Sequence, residues 1–389
     1  MSTKSIAKFC SGSMVRAVWL AGLMTLLPAI ASAQTPDNEE QESPDGAFSR
    51  ILQAGCQSCG GGLIGAARPD YGYSSGAMDG GCEGGCFPGG GKCAPCCGTN
   101  ALSRMFCAFH DCLCCPDPCY EGRWIGAANA ALFVDGARPI TQARLRWDAG
   151  YHLQFPDRAE YYWARIGGKG PARPETNVNY HYLSFYSEAA TEKFSAFIEM
   201  PYWQFNPEQN RGGNGFGNLN IGTKTMFLDC ELVQMSFQIV TGIPTGSPGK
   251  GVSNGHVSIE PSLIAAIKLY PDTYLQAQIA QWIPIGGTAG FQGGILHYHA
   301  SLNHVICRPV ADTQLVGTLE FNGWTFQSGS YTDPLLGVQS ANNYTYFSIG
   351  PGVRYIICDK VDIGFGAQFS VTNQHFADTL YRTELRWRF

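Results

Sequence analysis

The chain has 389 residues, 57 of them charged, and that 15% stands against about 25% in ordinary soluble proteins. Glycine occurs 48 times, cysteine 16 times, and aromatics make up 12%. This mixture is too rich in glycine and strand formers for a helical protein and too poor in charge for a disordered one. A mean hydropathy of −0.10 excludes a bundle of membrane helices, and a net charge of −5 argues against nucleic-acid binding.

At the N-terminus Lys4, Lys8 and Arg16 precede an apolar run from Ala17 to Ile30, followed by Ala31-Ser32-Ala33. That is the layout of a secretory signal peptide over residues 1–33, with cleavage before Gln34. An uncleaved anchor fits less well, because the run is short and breaks at Pro28. Cleavage removes three cations and no anion, and brings the net charge to −8. Residues 34–55 carry Asp37, Glu39, Glu40, Glu42 and Asp45 among Pro, Gln and Ser, and read as a solvated acidic linker.

Residues 56–120 form a Cys/Gly-rich segment without helical or strand period. Its cysteines are Cys56, Cys59, Cys82, Cys86, Cys93, Cys96, Cys97, Cys107, Cys112, Cys114, Cys115 and Cys119. In an exported protein such density is most simply a disulfide framework for a segment with little core. Zinc held by paired thiolates with His110 is the rival, disfavoured by an oxidising compartment. Neither Cys59 nor Cys96 is followed by His, so the c-type haem motif is missing. No cofactor or metal is expected. The mature chain keeps an odd 15 cysteines, so a free or intermolecular thiol is expected, able to reach other envelope proteins. Residues 121–140 form an entry segment to the C-terminal region.

From 141 to 389 the texture becomes one of alternating apolar and polar positions. Strands are predicted near 142–153, 178–188, 193–204, 217–228, 231–243, 256–270, 273–285, 294–307, 313–326, 342–357, 361–372 and 377–389. In the eleventh, Val361, Ile363, Phe365, Ala367, Phe369 and Val371 oppose Asp362, Gly364, Gly366, Gln368 and Ser370. The strand at 178–188 is the least regular and leaves its facing open. Short and long connections alternate along the whole series. The fold class is therefore all-β: a 12-stranded antiparallel transmembrane β-barrel, preceded by an irregular Cys/Gly-rich segment. A soluble sandwich has shorter strands and no reason to segregate turns from loops.

The last residues reinforce this. Tyr381, Thr383, Leu385, Trp387 and the terminal Phe389 alternate with Arg382, Glu384, Arg386 and Arg388. The pattern resembles the C-terminal strand signal of bacterial outer-membrane proteins, which implies recognition by the barrel-assembly machinery. The expected location is the bacterial outer membrane, with lipid around the barrel and the N-terminal segment in the periplasm.

Several short motifs carry a family resemblance. Pro116-Asp117-Pro118-Cys119-Tyr120, Arg123-Trp124, Phe133 to Pro139, Arg144 to Asp148 and Pro156 to Tyr161 resemble exported cysteine-rich barrels of planctomycete-type bacteria. Gly215 to Lys224 and Pro244-Thr245-Gly246 resemble the barrel family named after the MetA pathway of phenol degradation. The resemblance covers about 115–389 and implies an outer-membrane transporter.

With apolar faces toward lipid, the pore-lining set is Arg144, Arg146, Asp148, Glu199, Lys224, Glu260, Lys268, Glu320, Arg354, Asp362, Arg382, Glu384, Arg386 and Arg388. A structural salt-bridge network is the bland reading, since an unpaired buried charge is costly. Closure of the last strand on the first brings Arg382, Arg386 and Arg388 beside Arg144 and Arg146, with Glu384 and Asp148 to offset them. That predicts a basic wall and a narrow channel preferring anions. The alternative is an envelope-linking protein with no open pore, its lumen blocked by the loop at 154–177 or by the Cys-rich segment. Cys230, Cys307 and Cys358 fall at predicted short turns and are disulfide candidates; a disulfide from one of them to residues 56–119 is expected. His297, His299, Ser301 and Asn303 share one inward face, but no serine–histidine motif is found, and no enzymatic activity is expected.

Overall fold

The computed structural model describes residues 126, 131–230 and 232–389. The expected signal peptide, acidic linker and Cys/Gly-rich segment, with its twelve cysteines, lie outside the described residues.

Fifteen strands follow in chain order: β1 (Gln142–Gln154), β2 (Asn177–Ala190), β3 (Phe194–Pro207), β4 (Gly213–Phe216), β5 (Leu219–Asp229), β6 (Val233–Ile243), β7 (Val257–Tyr270) and β8 (Thr273–Ile285). Then come β9 (Ile295–Cys307), β10 (Thr313–Phe326), β11 (Ser330–Asp333), β12 (Gly337–Ser340), β13 (Thr345–Ile357), β14 (Val361–Ser370) and β15 (Thr379–Arg388). The four-residue strands β4, β11 and β12 belong to the long loops. The other twelve form the wall, each antiparallel to its neighbour, and β1 pairs with both β2 and β15. The wall of twelve strands is therefore closed, with β4 paired to β3 alone.

Every predicted strand is present, with ends moved by a few residues. Short connections join β2 to β3, β5 to β6, β7 to β8, β9 to β10 and β13 to β14 at one end. The longer loops gather at the other. Wall strands of 10–14 residues, rising about 3.3 Å per residue at a tilt near 40°, reach roughly 30 Å, the thickness of a bilayer core.

The period of two sorts the faces. Leu145, Trp147, Phe185, Ile198, Phe237, Ile279, Phe321, Ile363, Phe365 and Trp387 are exposed outward. Their neighbours Arg144, Asp148, Ser184, Gln238, Gln278, Glu320, Asp362, Gly364 and Arg386 are buried inward. Apolar outside and charged inside is the inverse of a soluble protein, and suits hydrocarbon around the barrel. The ambiguous β2 resolves in the same way: Tyr180, Ser184, Tyr186 and Glu188 are buried inward, while Leu183 and Phe185 point out. In β1 a bulge between Gly150 and Leu153 shifts the register.

Candidate functional site

The lumen is the candidate site, and its charges come as linked pairs. Register places Arg144 opposite Arg386, Arg146 opposite Glu384 and Asp148 opposite Arg382 across the β1–β15 seam. Glu384 accepts from Arg146 at 2.8 Å, from Arg386 at 2.6 Å, and from Arg354. Asp362 accepts from Arg354 at 2.8 Å and Arg388 at 2.5 Å. Asp148 takes two bonds from Arg382, and Arg144 bonds Asp135 at 2.9 Å while its guanidinium lies 3.6 Å from the Tyr186 ring centroid. Among the described residues these six arginines meet four carboxylates, two more than the seam alone supplies, because Asp135 and Asp362 join Glu384 and Asp148. The sequence placed only Glu384 and Asp148 against five seam arginines; proximity in space, not along the seam strands, adds Asp135 and Asp362.

The remaining predicted residues spread around the ring. Lys224 donates to the Gly136 carbonyl at 2.9 Å, and Glu199 accepts from Tyr182 at 2.9 Å. Glu260 lies 3.5 Å from His297, while Lys268 is half-buried in the register pair with Tyr274.

Glu320 reveals what fills the barrel. Its carboxylate, fully buried in mid-strand, accepts from the backbone N–H groups of Leu132, Phe133 and Val134 at 3.0, 2.5 and 3.2 Å. Residues 131–138 therefore run inside the lumen. Asp135 N–H donates to Gln278, Arg138 bonds Asp229, and Arg382 donates to the Leu132 carbonyl. The wall is carved to receive this segment. A Cβ at Gly350 would collide with the Leu132 side chain, and one at Gly352 would collide with Ala131. Glycine in a strand interior marks close approach of another chain segment, and these inward-facing positions are where the segment seats.

From the opposite end the loop after β1, residues 155–176, folds inward. Arg158 is buried with five aromatic rings around its guanidinium: Phe155, Phe326, Tyr331, Tyr344 and Tyr346, at 4.7–5.7 Å. Each cation–ring contact contributes about 0.5–2 kcal/mol. Asp157 accepts from the Thr332 hydroxyl at 2.6 Å and N–H at 3.2 Å. Burial pushes the Asp157 carboxyl up to about 6, against the pull of those bonds, and burial lowers the Arg158 guanidinium to about 10. Glu160 accepts from the N–H groups of Arg165 and Thr288. Ala159 and Glu160 both hold φ of 51°, a left-handed conformation that costs residues with a Cβ about 1–3 kcal/mol each.

Both inward elements pack on aromatic side chains of the wall. Phe133 packs on His299 and Trp324, and Tyr161 and Tyr162 pack on Trp282 and Trp203. Between them lies a cavity of about 250 Å³, lined by these aromatics, by Arg146, Asp148, Glu260 and Arg382, and by Asn218, Asn220 and Asn254.

Comparison with solved structures returns barrels of low similarity. An outer membrane channel from Pseudomonas putida F1 overlays with a TM-score of 0.44 and 10% identity, over 67% of this chain and 97% of that one. The NanC porin gives 0.38 and 8%, over 64% and 100%. The KdgM porin gives 0.36 and 8%, over 64% and 99%. The fold assignment rests on the strand pairing, not on these overlays. No family model and no curated protein sequence matches the chain, so the motif resemblance to the phenol-degradation barrels has no such match behind it.

Two further groups of predicted residues have definite places. Of the three turn candidates, Cys307 is a free, exposed thiol at the end of β9, so it is not one of the disulfide-bonded positions. Cys230 and Cys358 are disulfide-bonded. They occupy the β5–β6 and β13–β14 turns, half a turn of the barrel apart. On β9, Ser301 accepts from Asn303 at 2.9 Å, and His299 stacks on Phe133; no hydrogen bond joins serine to histidine among the described residues.

Sequence reasoning missed Asp135, Arg158, Tyr161 and Tyr162. The inward glycines on β13 and β14 were a signal for a guest segment in the lumen, seating Ala131 and Leu132, but not for Asp135 itself.

Proposed function

We propose that this protein is an outer-membrane β-barrel transporter for small solutes, closed in this conformation by residues 131–138 from one end and by the 155–176 loop from the other. One observation carries the reading: the closing elements are not wall strands, and they leave a polar, aromatic-lined cavity beside them instead of a solid core. A barrel meant only as an anchor has no need of a cavity between two separable closures. The short-turn end, with the arginine-rich seam, belongs on the periplasmic side, and the terminal strand ending at Phe389 is the contact for the barrel-assembly machinery.

An anion preference at the short-turn mouth, once the closures move, is supported by the six arginines that the seam gathers on one wall. The apolar outer band supports lipid as its surroundings. No catalytic role is proposed for the β9 histidines.

A second reading is favoured by the disulfide status of Cys230 and Cys358. Ties from these turns to the cysteines of residues 56–119 would make the protein an envelope-linking element under the barrel. Liposome swelling with graded solutes separates the two. A transporter admits solutes up to a size limit when its closures are weakened, whereas a linking protein admits none.

A further inference from the structure

We propose that the cavity between the closures binds a single neutral polyhydroxylated ring, one sugar unit. This deepens the transport reading and rests on it.

The fold leaves hydrogen-bonding capacity open around this cavity. The hydroxyls of Tyr161, Tyr162 and Tyr180 make no hydrogen bond to any described residue, and all three side chains line the cavity. Tyr180 is only 3% exposed, and its side chain faces the cavity. A phenolic hydroxyl both donates and accepts. Ligand hydroxyls, which also donate and accept, answer that pattern.

The charges point the same way. Arg382 is held by Asp148 through two bonds, and Arg146 is held by Glu384. An acid or a zwitterion would have to compete with those pairs. Glu260, 3.5 Å from His297, keeps acceptor capacity for hydroxyl protons. A phenolic solute has one hydroxyl and would leave most of the tyrosine hydroxyls and Glu260 unmatched. The indole and phenol rings of Trp203, Trp282 and Tyr162 supply apolar faces for the C–H side of a sugar ring. A volume of about 250 Å³ falls below the roughly 300–1,000 Å³ of drug-sized pockets and suits one ring.

The test is titration calorimetry on the refolded full chain in detergent, with glucose, galactose, mannose and xylose, and with glucuronate and phenol as contrasts. Saturable binding of at least one neutral sugar is expected, tighter than glucuronate or phenol. The double variant Tyr161→Phe/Tyr162→Phe, which keeps both rings, should weaken it about tenfold, as should Asn220→Ala. The proposal is overturned if no neutral sugar binds, if phenol or glucuronate binds more tightly, or if both variants bind like the parent. Solute uptake by liposomes without sugar binding removes the sugar assignment and leaves transport standing. Sugar binding without uptake, even in a variant with weakened closures, removes transport and leaves the binding site.

Discussion

Arg382 and Asp148 close the barrel seam as a two-bonded pair, Nε to Oδ1 at 2.7 Å and Nη2 to Oδ2 at 2.6 Å, from directly opposed positions on β15 and β1. The remaining amino group of Arg382 reaches the Leu132 carbonyl. One side chain therefore joins the first strand, the last strand and the segment inside the lumen.

Removing the carboxylate leaves a buried guanidinium without its charge partner, which typically costs about 3–5 kcal/mol. Asp148→Asn should lower the urea midpoint of the folded barrel in detergent by a corresponding amount, read by the heat-modifiable shift in gel mobility. Glu199→Gln, at a position bonded to neutral partners, should shift it far less.

Much of this seam was legible in the sequence. Alternation in 142–153 and 377–389 put the arginines on one face, and closure of an even number of strands forced the two faces together. Asp135 was not legible, because the stretch from Phe133 to Pro139 has no period and its partners lie far along the chain. The loop residue Arg158 was hidden for a related reason: its five rings come from the loop itself, β10, β11, β13 and the stretch before β13. Only the folded barrel brings them together. The facing of β2 also needed the structure, since its inward Tyr180, Tyr182 and Tyr186 look as apolar as its outward Leu183 and Phe185.

The inner loop should respond to pH through Asp157. Burial raises this carboxyl above its ordinary value, to about 6. The docked loop is therefore most stable below the ordinary carboxylate range, and loses that stability as pH rises through about 6. Hydrogen exchange over residues 155–165, corrected for intrinsic rates, should show at least tenfold less protection at pH 7.5 than at pH 4.5. Asp157→Asn should flatten that difference; an unchanged pH dependence would place the titrating group elsewhere.

The cysteines give a chemical check. Cys307 should take up maleimide without reductant, and Cys230 and Cys358 only after reduction. Non-reducing peptide mapping is expected to join each of the latter two to a cysteine of residues 56–119. Recovery of both as free thiols would remove the tie between barrel and N-terminal segment.

Filling the glycine seat should displace the inner segment. In Gly352→Val the new side chain meets Ala131, where even a lone Cβ would collide. Overpacking of this kind costs about 1–3 kcal/mol, and the segment, held by hydrogen bonds rather than by the sheet, is the part that can move. Protease cleavage within 131–140 should rise while the barrel stays folded.

Whether separable elements hold a transport path shut is tested most directly by liposome swelling on the parent chain and on Glu320→Ala combined with Gly352→Val. That pair removes the carboxylate holding three backbone N–H groups and fills the seat beside it. Uptake of small neutral and anionic solutes at least fivefold faster in the variant is the predicted result, falling off with solute size. A variant that folds by gel mobility, releases residues 131–138 to protease and still admits no solute would contradict it.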